Sequence, residues 1–224
     1  MTVSPQSAAS AAGKEDGGIE IIAHPLVQHK LSWLRDRTLP RADFRKVVRE
    51  LSLLLAYEAT RDLPLRPQEL VMPDGTHLRV GQLEGRSLCV IPILRAGLGL
   101  LEGMLDLVPS ACVGHVGVQR DHDTLEARVY YFNVPAHLAE RRCVVLDPML
   151  ATGHSALAVL DRLKKAGAQK IVFVCLVAAP EGVHALREAH PDVRIITSAL
   201  DEGLDRRGYI VPGLGDAGDR LFGT

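Results

Sequence analysis

The stretch that most constrains this chain is Cys143-Val144-Val145-Leu146-Asp147-Pro148-Met149-Leu150-Ala151-Thr152-Gly153-His154-Ser155, which packs a strand, a turn and a helix start into thirteen residues. Cys143 to Leu146 is a short apolar, β-rich run of the kind that forms a buried parallel strand. From Ser155 onward Ala156, Val159, Leu160 and Leu163 recur at helical steps until Gly167 stops the pattern. Between them, Thr152-Gly153-His154-Ser155 presents consecutive backbone N–H groups and two hydroxyls at the positive end of that helix, which makes an anion cradle. Asp147 stands at the carboxyl end of the strand, where open α/β sheets bind ligands, and its carboxylate can accept from sugar hydroxyls. Acid and turn together fit a sugar phosphate; an ordinary strand-to-helix loop with a polar cap fits the same spacing. No Walker A lysine follows the glycine and no G-x-G-x-x-G opens the helix, which argues against a P-loop NTPase or a dinucleotide domain.

The rest of the chain predicts an α/β fold with an open, mostly parallel twisted sheet covered by helices on both faces. Strands are expected at Ser87 to Ile93, Ala111 to Val118, Cys143 to Leu146, Lys170 to Ala178 and Val193 to Ser198, alternating with helices over Leu98 to Leu107, Ser155 onward, and Glu181 to Ala189. Runs such as Ile171-Val172-Phe173-Val174-Cys175-Leu176-Val177 are too uniformly apolar for a sheet wetted on one side. Upstream, Val27, Leu31 and Leu34 predict a short helix ending near Thr38-Leu39-Pro40, and Arg41 to Arg61 the longest one. The apolar face of that long helix includes Leu53 and Tyr57 and is broad enough for two partners, so a homo-oligomer contact and a helix tucked into its own subunit are both open. Leu70-Val71-Met72, Pro73-Asp74-Gly75 and His77 to Val80 read as a β-hairpin standing apart from the main sheet. Gln119 to Pro135, polar at Arg120-Asp121-His122-Asp123 and weakly alternating from Glu126 to Asn133, reads as a flap over the site or a plain edge hairpin.

At 224 residues the chain is long enough to bury a sizeable core, and residues 19–224 are expected to form one domain. The Ser-, Ala- and Gly-rich leader at 1–18 lacks the charged start and apolar core of a signal peptide and is expected to be disordered, with the protein cytoplasmic. With 26 Lys plus Arg against 27 Asp plus Glu, the net charge of -1 gives no global pull toward nucleic acid or anionic membrane, so any anion site is local. No run approaches the roughly 18 apolar residues of a membrane span. Cys89, Cys112, Cys143 and Cys175 lie in apolar runs without a C-x-x-C pair and are expected to be buried, reduced thiols. The histidines show no metal-ligand spacing, and no protein metal site is expected.

The stretch from Asp147 to Ser155, with Leu94-Arg95-Ala96-Gly97 upstream and Tyr209-Ile210-Val211-Pro212-Gly213-Leu214-Gly215-Asp216-Ala217-Gly218-Asp219 downstream, resembles the uracil phosphoribosyltransferases, a branch of the type I phosphoribosyltransferases. Three motifs in order, within a match from about His24 to Thr224, are far more specific than any one of them. The resemblance implies transfer of a phosphoribosyl group from 5-phospho-α-D-ribose 1-diphosphate to uracil, giving UMP and diphosphate. It further implies magnesium carried on the diphosphate, a homo-oligomer, and, for some members, activation by GTP. Donor binding would fall to Arg95, Arg120, Asp147, Pro148, Met149, Leu150, Ala151, Thr152, Gly153, His154, Ser155 and Asp216, with catalytic roles at Arg120, Asp147 and Asp216. Uracil would be contacted through the main chain at Ile210, Gly215 and Ala217, beside Asp216.

The chain departs from the commoner family pattern at His154, which replaces a second glycine but keeps the backbone N–H. Val118-Gln119 and Ala127 differ from the commoner Tyr and Pro around the flap. Pro148 stands where many other phosphoribosyltransferases carry a second acid, as is normal for the uracil branch. Competing readings are a nucleotide-sensing, RNA-binding regulator with the same fold, or transfer to another base. The regulator would need a concentrated basic face, and here the arginines are interspersed with acids.

Overall fold

The computed structural model describes residues 14–16, 18–83, 87–120 and 127–224. In chain order the elements are β1 (Lys14–Asp16), β2 (Ile19–Ile21), α1 (Pro25–Arg35), α2 (Arg41–Ala59), β3 (Leu65–Val71), β4 (His77–Leu83), β5 (Leu88–Leu94) and α3 (Leu98–Leu107). There follow β6 (Cys112–Val113), β7 (His115–Arg120), β8 (Ala127–Asn133), a 3-10 turn at Leu138–Glu140, β9 (Arg142–Leu146), β10 (Met149–Leu150) and α4 (His154–Lys165). The chain ends with β11 (Lys170–Ala178), α5 (Pro180–Ala189), β12 (Arg194–Leu200), β13 (Gly203–Leu204), β14 (Ile210–Val211) and α6 (Ala217–Phe222).

The main sheet runs β1-β2-β12-β11-β9-β5-β7-β8, with β6 adding to β5 and β10 to β11. Neighbours from β2 to β7 are parallel, and the antiparallel pairs β1–β2 and β7–β8 close the two edges. The open, mostly parallel sheet expected from the apolar runs is therefore present. Its strands alternate between two cores. Leu88, Val90, Val144, Leu146, Val172, Val174 and Leu176 pack with α1, α2 and α3 on one face. Cys89, Ile91, Ile93, Cys143, Val145, Ile171, Phe173 and Cys175 pack with α4 and α5 on the other. Burial on both faces explains why these strands read as uninterrupted apolar runs, each fully buried large side chain contributing about 1.5–3 kcal/mol.

The width of α2 is used inside the subunit. Phe44, Val47, Val48, Leu51, Leu55 and Ala56 are buried, and the helix lies against α1, α3 and the sheet. Gly103 of α3 permits the close approach, because a Cβ there would stand 2.3 Å from the Arg49 carbonyl oxygen. Tyr57 stays exposed. β3 and β4 form a separate two-stranded hairpin, longer than expected, since Pro67 and its polar neighbours hid the first half of β3. That hairpin leaves Leu65, Val71, Met72, Leu78 and Leu83 exposed.

Other boundaries moved for local reasons. Helix α1 stops at Arg35, short of Pro40, because the Asp36 carboxylate accepts from the N–H and the hydroxyl of Thr38 and turns the chain. The strand expected over Ala111 to Val118 is broken at Gly114, where a Cβ would stand 2.9 Å from Val134 Cγ1. Lys14–Asp16, inside the span expected to be a leader, pairs with Ile19–Ile21; the remainder of that leader, apart from Gly18, lies outside the described residues. The polar tip of the expected flap, Asp121 to Glu126, also lies outside them, while β8 forms its returning strand.

The C-terminal segment is held by two arginines. Arg35 donates to both oxygens of the buried Asp201 carboxylate at 2.9 and 2.6 Å and to the Gly213 carbonyl at 3.0 Å, and the Gly213 N–H returns a 2.9 Å bond to Asp201. Arg220 lies 4.0 Å over the Phe44 ring and donates to the carbonyls of Leu34, Leu214 and Asp36. Removing one partner of a buried ion pair strands the other, at a cost of about 3–5 kcal/mol. Asp201→Ala is therefore expected to lower unfolding stability by about 3 kcal/mol in urea titration; a loss below about 1 kcal/mol would show that the clamp is not structural.

Candidate active site

Three positions expected to matter sit at carboxyl ends of parallel strands on the same edge of the sheet. Arg95 directly follows β5, Arg120 is the last residue of β7, and Asp147 directly follows β9. Strands β5 and β9 are neighbours, yet the chain leaves them toward opposite faces, β5 into α3 and β9 into α4. That is a topological switch point, where a crevice opens between the two connections. Gly97 makes the crevice tight: a Cβ there would stand 2.3 Å from the Leu146 carbonyl oxygen and 2.6 Å from the Ile93 nitrogen. Only glycine lets the turn carrying Arg95 press against the end of the strand that carries Asp147.

After Asp147 the chain stays tied to the sheet. The Pro148 carbonyl accepts from the N–H groups of Leu176 and Val177, and Met149 and Leu150 pair with Val177 and Ala178 as β10. Ala151 and Thr152 then lead to Gly153, whose φ of +84° is natural for glycine alone. Helix α4 starts at His154, one residue before the expected start. It has no side-chain cap, so its first N–H groups lack a side-chain acceptor at the turn that carries Thr152 and Ser155. His154 is exposed. Gly182 of α5 supports the turn, since a Cβ there would stand 2.4 Å from the Ala151 carbonyl oxygen.

Asp147 is the electrostatic anomaly of this edge. Its carboxyl is pushed up from the ordinary 3.8 to about 7 by the removal of water around it, against a lesser pull from the Met149 N–H. Among the described residues no cation stands near enough to hold it ionised. With only the Met149 N–H beside it, this carboxyl keeps acceptor capacity that the described residues do not use, the kind of perturbed group that marks a candidate site.

The C-terminal motif closes on the same turn. Arg95 donates from Nη2 to the Thr224 hydroxyl at 3.3 Å and stands 6.0 Å from the centre of the Phe222 ring, and a Cβ on Gly218 would lie 3.9 Å from the Ala96 Cβ. The expected loop from Tyr209 to Ala217 contains β14, a cis Val211–Pro212 bond, positive φ at Gly213 and Gly215, and then α6. The Asp216 carboxylate caps α6 by accepting from the Asp219 N–H at 2.9 Å. The side chains of Ile210 and Ala217 are buried, whereas Gly215 is exposed. Among the described residues the N–H groups of Gly215 and Ala217 have no partner.

The structure thus brings Arg95, Asp147 and the 148–155 turn to one edge and joins the C-terminal segment to the Arg95 turn. The side chain of Arg120 lies outside the described set, although its backbone ends β7 at that edge. Gly97 was legible in the Leu94-Arg95-Ala96-Gly97 motif, whose small residues allow a close backbone approach. Gly182, Arg35, Asp201 and Arg220, which also position these pieces, carry no local signal and were not anticipated. A cleft of about 580 Å³ between α1 and α2, lined by Lys30, Trp33, Lys46 and Glu50 among others, contains none of the expected site residues.

A family model described as uracil phosphoribosyltransferase matches residues 21–224. The uracil phosphoribosyltransferase of Brucella anthropi is 55% identical over 207 residues, covering 92% of this chain and 99% of that protein. That of Streptococcus agalactiae serotype III is 56% identical over 208 residues, covering 93% and 99%. Among solved structures, the AQ2163 protein of Aquifex aeolicus superposes with a TM-score of 0.87 at 40% identity, covering 91% of this chain and 97% of that one. With its switch-point edge and its two-faced parallel sheet, the chain has the type I phosphoribosyltransferase fold and belongs to the uracil phosphoribosyltransferase family.

Proposed function

We infer that this chain transfers the phosphoribosyl group of 5-phospho-α-D-ribose 1-diphosphate to N1 of uracil, releasing diphosphate and forming UMP. The observation that supports the reading is the pairing of an Asp147 carboxyl that has lost water and has no cation beside it with the uncapped start of α4, a few residues further along the same strand-to-helix connection. Asp147 accepts from the ribose hydroxyls. The 5-phosphate sits on the N–H groups and hydroxyls of Thr152, Gly153, His154 and Ser155, in a turn shaped by Pro148, Met149, Leu150 and Ala151. His154 contributes its N–H as a glycine would, and its exposed side chain need not face the phosphate.

The diphosphate lies across the crevice, on the guanidinium groups of Arg95 and Arg120 and the close backbone of the 95–97 turn. Breaking the C1–O bond builds positive charge on the sugar and negative charge on the leaving group. The protein's contribution is therefore positioning and electrostatic stabilisation of the departing oxygens. Among the described residues no group of three or more His, Cys, Asp or Glu side chains is arranged to hold a metal ion. Magnesium fits this donor set as part of the substrate, where it would neutralise the diphosphate it arrives with. Uracil lies against the C-terminal loop, with the N–H groups of Gly215 and Ala217 directed at its carbonyl oxygens, Ile210 beside it and Asp216 toward the donor. Cytosine would set an amine against an N–H and leave both unsatisfied.

Protein, magnesium, uracil and the phosphoribosyl donor are expected to yield UMP and diphosphate, with cytosine inert and Asp147→Asn and Arg120→Ala each lowering kcat/KM by about 100-fold or more. Full activity in either variant would remove that residue from the site, and a purine preference would overturn the account of the pocket.

Asp147 also carries a pH signature. Its folded value of about 7 lies above the ordinary 3.8, so the folded chain holds this proton more tightly, and stability is lost as pH rises across that window. Asp147→Asn escapes the loss and is expected to exceed the native chain by about 2 kcal/mol at pH 8, after discounting for partial exposure, and to match it near pH 4. Urea titrations at both pH values measure this, and equal gains at both would refute it.

A homo-oligomer in the cytoplasm is the assembly we favour, on the support of the exposed apolar residues of the β3–β4 hairpin and of Tyr57. Light scattering is expected to give a mass of at least twice 24.3 kDa. GTP activation, carried over from the family, would appear as a faster initial rate when GTP is added; a monomer, or a rate indifferent to GTP, would end the corresponding proposal.

A further inference from the structure

The proposed transfer leaves the cysteines unused, and three of them form a row across the sheet. Cys112 of β6 is the register partner of Cys89 of β5, and Cys89 is the partner of Cys143 of β9. Register partners in a parallel sheet point to the same face, and adjacent strands lie about 4.8 Å apart, within the roughly 4.4–6.8 Å Cα separation of disulfides. All three are free thiols. Cys89 and Cys143 are buried and share a hydrogen bond, so solutes do not reach them first. Cys112 differs: it is half-buried, and Arg141 Nη1 lies 3.2 Å from its Sγ. Of the three, Cys112 is thus the one that a solute can meet from outside the sheet, with a donor group already at its sulfur. The row sits toward the amino ends of β5 and β9, at the opposite edge from Arg95 and Asp147.

We propose that Cys112 is an oxidation site for hydroperoxides and that Cys89 resolves it into an intrachain disulfide between β5 and β6. The Cys112 thiolate attacks a peroxide oxygen and the O–O bond breaks. The sulfur is oxidised to a sulfenic acid, while the peroxide is reduced and leaves as water or an alcohol after taking up a proton. The Cys89 thiol then attacks the Cys112 sulfur. An S–S bond forms, the S–O bond breaks, and the hydroxyl departs with the Cys89 proton as water. Thiol reductants reverse the change.

The test is made on the folded full chain. Hydrogen peroxide in modest excess is added and quenched, the chain is unfolded in iodoacetamide, and its tryptic peptides are mapped. Cleavage at Arg95, Arg120 and Arg142 puts the three cysteines in separate peptides. The expected result is a fall from four alkylatable thiols per chain to two, a linked pair of peptides carrying Cys89 and Cys112, and full recovery in dithiothreitol. In Cys89→Ala, dimedone is expected to label Cys112 in place of the link. The proposal is overturned if Cys112 of the peroxide-treated native chain stays fully alkylatable, or if the disulfide that forms omits Cys112. Both of these outcomes are read on the native chain, so they decide the matter even where the variant folds poorly.

Discussion

Everything at the carboxyl edge of the sheet depends on how closely β5 and β9 approach where their connections part. The contact between the Gly97 turn and the Leu146 carbonyl sets that distance, and it tolerates no side chain on the glycine. Because β5 leads to α3 on one face and β9 to α4 on the other, the crevice between them is floored by backbone and walled by two turns. Arg95 follows β5 and Asp147 follows β9, and the Asp147 carboxyl draws no attraction from the Arg95 guanidinium. Both residues thus stand at the strand ends, at a switch point of the kind where open α/β sheets bind ligands.

The charge balance follows the same logic. A carboxyl pushed up to about 7 is a stability cost that the fold carries at neutral pH. The fold offsets it elsewhere, through the two apolar layers and through ion pairs such as Arg35 with Asp201. Functional groups are often left under-satisfied in this way, and a well-packed support is what permits it.

Much of this was legible in the chain before folding was considered. Strands β5, β9 and β11 announce themselves because burial on both faces demands unbroken apolar runs, and the 147–155 turn does so because strand, acid, glycine and helix fall within one short stretch. What stayed hidden was tertiary or very short. Arg35 and Asp201 are 166 residues apart and meet only through the topology. β2 has three residues and α6 six, too few for a period to emerge. The first half of β3 was masked by its proline and charges, and Gly114 interrupts a run that reads as one strand. The titration of Asp147 depends on water excluded by the whole edge, which no local pattern encodes.

Gly182 shows how far such a site extends. It lies on α5, outside every motif, yet the bare face of that glycine is what the Ala151 and Leu150 carbonyls rest on. The turn before α4 and the crossover helix α5 are thereby a single preorganised block, and the entropy of fixing the turn is spent during folding. An alanine at this position would wedge the block apart and shift the turn at the strand ends from a residue on another helix.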